Sequence, residues 1–189
     1  MLNFYKLIEI VVSLQSLVIT SMLTVYIPLP FIYKSSNNFD LPITWQIPTI
    51  ILLTIIFHKK VVYRAITIYI ILGLFIFPVF HQGGSIGYLL TPNFGYLLGY
   101  YPLIKIIDNL NNRNKINVSN FLKNGLIAIV AMHLTGIFYN FIQIIFYSQF
   151  NLFLYNLGKY SIGKIGYHFL LLFPLLLLIK PIKHLKQSK

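Results

Sequence analysis

The chain has 189 residues, 57% of them hydrophobic and only 10% charged, a formal net charge of +12 and no cysteine. Soluble domains are near 25% charged, so the composition indicates a membrane protein, and the missing cysteines exclude disulfides and thiol chemistry. An excess of positive charge points to nucleic acid in a soluble protein, but here it is parcelled out between apolar stretches, so no nucleic-acid partner is expected.

The stretches are expected to form one integral membrane domain, residues 1–189. The first, 7–27, can cross about 30 Å of hydrocarbon, which needs roughly 20 residues. It lacks a small-residue cleavage site and is followed by Pro28 and Pro30, so a retained helix is expected and not a signal peptide. Its Ser16 and Thr20 form a small-xxx-small pair suited to close contact with lipid, another helix or a partner.

The second stretch, 43–58, is short. Its run from Thr44 to Phe57 would span roughly 21 Å as a helix. "DLPITWQIP" is therefore expected to start its helix below the outer surface, at the edge of a cavity. Pro42 and Pro48 favour such an irregular entry. The third stretch, 61–80, leads into "HQGGSIGYLL", an uncharged loop with three glycines.

The fourth stretch, 92–107, contains Gly95 and Gly99 in a GxxxG pattern, read as close helix packing. The fifth, 120–147, carries His133, Gly136, Asn140 and Gln143 on one face. Polar groups do not face lipid cheaply, so this stripe is expected to point inward. For His133, interhelical hydrogen bonding weighs equally with a ligand role. Asn140 and Gln143, nearer the outer end, are the better pocket candidates. The sixth stretch, 163–180, starts beside Lys164, a cation placed to meet a ligand carboxylate or to snorkel to headgroups. Residues 158–165 approach a phosphate-binding P-loop but place Ile165 where a Ser or Thr must hold magnesium.

These segments predict an all-α protein of six transmembrane helices. Twelve of the fifteen Lys and Arg residues fall on one side: at the N-terminus, after helices two and four, and at the C-terminus. The positive-inside rule then puts both termini in the cytoplasm. The loops 28–41, 81–91 and 148–160 face outward. Thr44, Trp45, Gln46, His81, Gln82, Asn93 and Ser161 gather on that side, which predicts an outward-facing, neutral, polar cavity.

The acids are Glu9, Asp40 and Asp108, all near segment ends. No mid-span carboxylate is present to couple protons or sodium, and no carboxylate pair supports hydrolysis. The five histidines show no ligand spacing such as HExxH. No metal, cofactor or catalytic residue is therefore expected. The residues describe a binding membrane protein without its own motor, and they do not name the ligand.

"LPITWQIPTIILLTIIF" and "AITIYIILGLFIFPVFHQGGSIGYLLTPNFGYLLGYYPL" resemble the biotin transporter S-component family over residues 41–103. Members are the substrate-binding subunits of energy-coupling-factor transporters. The resemblance implies an S-component-like bundle of six helices that captures biotin from outside. It implies a membrane scaffold subunit and two ATPases as partners, and a bacterial plasma (inner) membrane as the location. It places Thr44 and Gln46 at the mouth of helix two. Gln82, Gly83 and Gly84 fall in a capping loop, and Asn93, Gly95 and Tyr96 at the start of helix four. Ser16 and Thr20 stand where many S components carry a scaffold-docking motif.

Biotin's ureido ring needs neutral donors and acceptors. Its apolar body needs walls such as Trp45, Phe80, Tyr88 and Tyr96. Its carboxylate needs a cation or several donors. Helix six departs from the family's Gly-Asp-x-x-Lys-like motif: it has no Asp, and Lys164, Tyr167 or His168 is expected to take over that contact. His81, Asn140 and Gln143 complete the expected site. The alternatives are the same scaffold with another vitamin-like ligand, and a membrane scaffold protein whose polar stripes only join helices.

Overall fold

A computed structural model describes residues 4–28, 38–81, 83–113, 118–147 and 150–178. The elements are α1 (Phe4–Met22), β1 (Thr24–Pro28), β2 (Asn38–Thr44), α2 (Gln46–Ile56), α3 (Lys59–Phe75), a 3-10 turn (Ile86–Leu90), α4 (Pro92–Leu98), α5 (Tyr100–Arg113), α6 (Val118–Tyr147), α7 (Phe150–Asn156), a π-helical turn (Leu157–Ile162) and α8 (Gly163–Leu170). Among the described residues, three helical runs are long and apolar enough to cross a membrane: Phe4–Met22, Val118–Ile145 and Phe150–Leu178.

Several boundaries differ from the sequence reading. The first helix stops at Met22 and not at residue 27. The β-branched and aromatic run Thr24–Ile27 suits a strand and pairs antiparallel with Asn38–Thr44, Val25 opposite Leu41. Ile43 and Thr44 are therefore strand residues, and the second helix starts at Gln46. Pro48 sits in its first turn, where a missing N–H costs nothing.

The third helix ends at Phe75. Pro78 cannot donate a hydrogen bond and disfavours helix in the residue before it. The fourth stretch breaks at Gly99 into α4 and α5 and runs on to Arg113. Part of the expected loop 148–160 is instead helical, as α7 and the π turn. Gln82 and the basic residues Lys34, Lys115, Lys180, Lys183, Lys186 and Lys189 lie outside the described residues.

The core lies where α2, α3, α5 and α6 meet. Ile50, Ile51, Val62, Ala65, Ile66, Leu103, Ile104, Ala128 and Ile129 are fully buried there. The outward faces are apolar as well: Ile71, Phe75, Leu134, Phe138 and Leu177 are exposed. A helix that is hydrophobic all round belongs in lipid or in a large core.

Gly95 and Gly99 let α4 press on α6. A Cβ on Gly95 would overlap the Tyr139 side chain, and one on Gly99 would stand 2.6 Å from the Met132 carbonyl oxygen. This is the close packing expected of the GxxxG pattern. On α1, the hydroxyls of Ser16 and Thr20 donate to the carbonyls of Val12 and Ser16 in their own helix. At one end of the bundle, Lys59 pairs with Asp108 at 2.8 Å.

Candidate ligand-binding cavity

A cavity of about 110 Å³ opens where β2, α2, α3, α4, α6 and α8 converge, closed over by the loop after α3. Of the residues expected from sequence, Thr44, Gln46, Phe80, His81, Tyr88, Asn93, Tyr96, Lys164 and His168 line it. Trp45 and Tyr167 do not. They pack together beside the hairpin, around Val25, Ile43 and Leu171. Gly83 and Gly84 are not among its lining residues; Gly84 packs against the backbone of Gly73 and Pro78. Asn140 and Gln143 line a different cavity, and Gln82 is outside the described residues.

Gln46 sets the polar character of one wall. Its side chain is buried at the start of α2, and its Oε1 accepts a hydrogen bond from the Tyr100 hydroxyl at 2.8 Å. Its Nε2 has no partner within hydrogen-bonding geometry. Buried polar groups are almost always paired; the Tyr69 hydroxyl, another lining group, is the partner nearest to hand for this N–H, and a ligand that displaces it can take the donor. The Tyr100 bond fixes which end of the amide presents itself.

A second wall is a chain of hydrogen bonds across α4, α6 and α8. The Tyr96 hydroxyl lies 2.6 Å from Ser161 Oγ, and His133 Nδ1 lies 3.3 Å from the same oxygen. His133 Nε2 then meets His168 Nδ1 at 3.0 Å. Each histidine shares a proton with a neighbour, so the chain holds four side chains in fixed orientation. His133 therefore both joins helices and lines the cavity. Tyr69, Tyr100, Met132 and Tyr160 also line it and were not singled out in the sequence. Among fourteen tyrosines, no spacing separates these from the ones that face elsewhere.

Tyr96 owes its position to Gly136. A Cβ on Gly136 would overlap the Tyr96 ring. Gly136→Ala is therefore expected to push Tyr96 off Ser161 and destabilise the fold by about 1–3 kcal/mol, the range for overpacking. Thermal unfolding of the purified variant in detergent checks this, and an unchanged midpoint would contradict it.

Lys164 is the only Lys, Arg, Asp or Glu among the described lining residues. Its Nζ sits 5.2 Å from the centre of the Tyr160 ring, and the Lys159 ammonium lies 5.3 Å from the same ring. Cation–π contacts of this kind hold an ammonium without neutralising it. Lys164 thus stays available to an anion.

The loop above the cavity is built on Phe80. Phe80 and Gly83 exchange backbone hydrogen bonds of 2.9 and 3.0 Å, and Gly83 takes a left-handed φ of 103°, which glycine adopts without strain. Phe80 rests on Gly73, where a Cβ would overlap its ring. Its ring centre lies 4.5 Å from Tyr88 and 5.3 Å from Tyr69. Burial raises the pKa of the Tyr88 hydroxyl, reinforced by Tyr69 and Tyr160, so it remains a neutral donor. His81 Nδ1 meets the Ser21 carbonyl of α1 at 3.1 Å, which ties the loop to the first helix.

An apolar, mostly aromatic chamber with one cation, one buried amide donor and several hydroxyls is a receptor for a small molecule. No carboxylate is among its described lining residues. With its long apolar helices, the molecule is an integral membrane protein built around a ligand cavity. A crystal structure of the S-component for biotin from an ECF-type ABC transporter superposes with a TM-score of 0.59, covering 95% of each chain at 18% identity. The architecture is therefore the S-component fold. A "Probable biotin transporter BioY" of Lysinibacillus sphaericus is 28% identical over 119 residues, 62% of this chain but 56% of that relative's length. The BioY family model matches residues 3–171, and the chain belongs to the BioY family.

Proposed function

We propose that the protein is the substrate-binding component of a biotin uptake transporter, a receptor and not an enzyme. The observation that carries this reading is the pairing of the Gln46 Nε2 donor with Lys164 in one aromatic cavity. Biotin offers a ureido carbonyl for the first, a carboxylate for the second and an apolar bicycle for the rings between. Thr44, Asn93 and the tyrosine hydroxyls supply the acceptors and donors the ureido nitrogens and carboxylate oxygens still need. Family membership and the name of the Lysinibacillus relative support the same ligand.

Partners and place follow from that role. The chain is proposed to span a bacterial plasma membrane six times with both termini inside, and to deliver biotin through a scaffold subunit and two ATPases. α1 exposes Phe4, Tyr5, Leu7, Ile8, Val11 and Val12, with Ser16 and Thr20 further along the same helix as the proposed docking pair.

The direct test is titration of the purified protein with biotin, followed by the fluorescence of Trp45. It is the only tryptophan and directly precedes Gln46. Saturable quenching or enhancement is expected. A flat titration confirmed by calorimetry would sink biotin as the ligand, and a response to a different vitamin would keep the scaffold but change its cargo. Orientation has its own test, because the native chain has no cysteine. Ser85→Cys, exposed in the loop, is expected to react with a membrane-impermeant maleimide in intact cells; labelling only after lysis would invert the topology.

A further inference from the structure

α1 buries one stripe of residues, Ile10, Ser13, Leu17 and Ser21. The hydroxyls of Ser13, Ser16 and Thr20 donate within their own helix, to the carbonyls of Glu9, Val12 and Ser16. Ser21 reaches further. Its hydroxyl lies 2.7 Å from the Val18 carbonyl oxygen and 2.9 Å from that of Val79, so one proton serves both.

Val79 directly precedes Phe80, the ring on which the loop above the cavity is built. The Tyr69 hydroxyl donates to the same Val79 carbonyl at 3.2 Å. On the other side of Phe80, His81 Nδ1 lies 3.1 Å from the Ser21 carbonyl. A carbonyl only accepts, so Nδ1 carries the proton and donates. That carbonyl is available because α1 ends at Met22, and the last four carbonyls of a helix lack a partner within it. One residue, 0% exposed, therefore grips the loop on both sides of Phe80. Its hydroxyl holds the backbone before the ring, and its backbone holds the side chain after it. Ser21 does not itself line the cavity.

We propose that Ser21 is a positioning residue that pins Phe80 in the roof of the cavity and so sets how fast the ligand enters and leaves. The kinetic part rests on the proposed role as a biotin receptor. Phe80 is 1% exposed and closes the roof against Tyr69 and Tyr88. To swing the ring out, Val79 and His81 must first give up their bonds to Ser21. Those bonds do not involve the ligand. Breaking them lowers the barrier to opening in both directions, as for any lid whose opening limits exchange.

The experiment uses the full chain in detergent and has two arms. The first needs no ligand. Hydrogen exchange is followed at the amides of Phe80 and Gly83, which bond each other's carbonyls. Ser21→Ala and His81→Leu are each expected to speed exchange there about three- to tenfold, as the net worth of one hydrogen bond implies, and to leave the core amides of Ile50 and Ile51 unchanged. His81→Asn is expected to restore slow exchange, because its amide nitrogen stands where Nδ1 stood. The second arm measures association and dissociation of radiolabelled biotin. In Ser21→Ala both rates are expected to rise about three- to tenfold, with Kd little changed.

Wild-type exchange at Phe80 and Gly83 in both variants would overturn the latch. Faster exchange that spreads to Ile50 and Ile51 would overturn it too, because Ser21 would then only support the fold. Faster exchange at Phe80 with unchanged biotin rates would overturn its control of ligand exchange. If biotin fails to bind the wild-type protein, the proposed transport role falls, while the first arm still decides whether Ser21 pins the roof.

Discussion

Replacing Lys164 with alanine is expected to weaken biotin binding by about ten- to hundredfold, as the loss of a hydrogen bond to a charged group implies. Binding of biotin methyl ester is expected to change little. Lys164 is the single Lys, Arg, Asp or Glu among the described residues lining the cavity; Lys159, on the same Tyr160 ring, does not line it. Its stem is half-buried and its ammonium is seated against Tyr160. An anionic ligand then recovers in one contact what the enclosed ammonium gave up in hydration. Lys164→Arg is not expected to restore the affinity, because a planar guanidinium needs a different geometry from a compact ammonium. Equilibrium dialysis with both ligands measures the contrast. Equal losses for biotin and its methyl ester would show that Lys164 supports the fold and not the carboxylate.

The second large effect is expected at Gln46. Gln46→Leu removes the amide donor and also strands the hydroxyl of Tyr100, a residue only 6% exposed. Biotin affinity is expected to fall at least about tenfold, and fold stability by about 1–3 kcal/mol. The two losses separate in a double variant. Adding Tyr100→Phe to Gln46→Leu removes the stranded hydroxyl, so stability recovers while affinity does not. Thermal unfolding and dialysis on the four proteins complete the cycle. Recovery of binding along with stability would mean that Gln46 acts only by holding Tyr100, and the ureido contact would have to lie elsewhere.

Both residues were reachable from the sequence, by different routes. Lys164 stands out by rarity, because a cation at the start of an apolar stretch has few uses. Gln46 stands out through the proline-flanked entry of its helix and through family resemblance. Asn140 was legible as an inward polar residue, but the sequence reading put it in the same pocket as Lys164. The structure puts it in another, because α4 presses on α6 through Gly95 and Gly99, and Tyr96 stands over Gly136 near the central end of the stripe. One helix face therefore serves two cavities. Spacing along a helix tells which residues share a face, not what crosses that face.

The strand pair was missed for a similar reason. Thr24–Ile27 continues an apolar stretch without a break in hydropathy, and only pairing with Asn38–Thr44 makes it a strand. The histidine pair shows the same limit. His133 and His168 lie 35 positions apart, on separate apolar stretches with no spacing to connect them.

The sequence by itself determined what composition and period can carry. It set the membrane class, the set of apolar helices, the inward polar stripe on α6, the glycine-rich loop after α3 and a lone cation among greasy residues. These follow from transfer free energies and from turn geometry, which act locally. Tertiary structure alone decided which side chains share a space. It turned Gln46 so that its Oε1 meets Tyr100, and it joined Tyr96, Ser161, His133 and His168 in one chain. It also split the polar face of α6 between two cavities. Those outcomes depend on how close helices approach, and that distance is set by pairs of residues far apart in the chain.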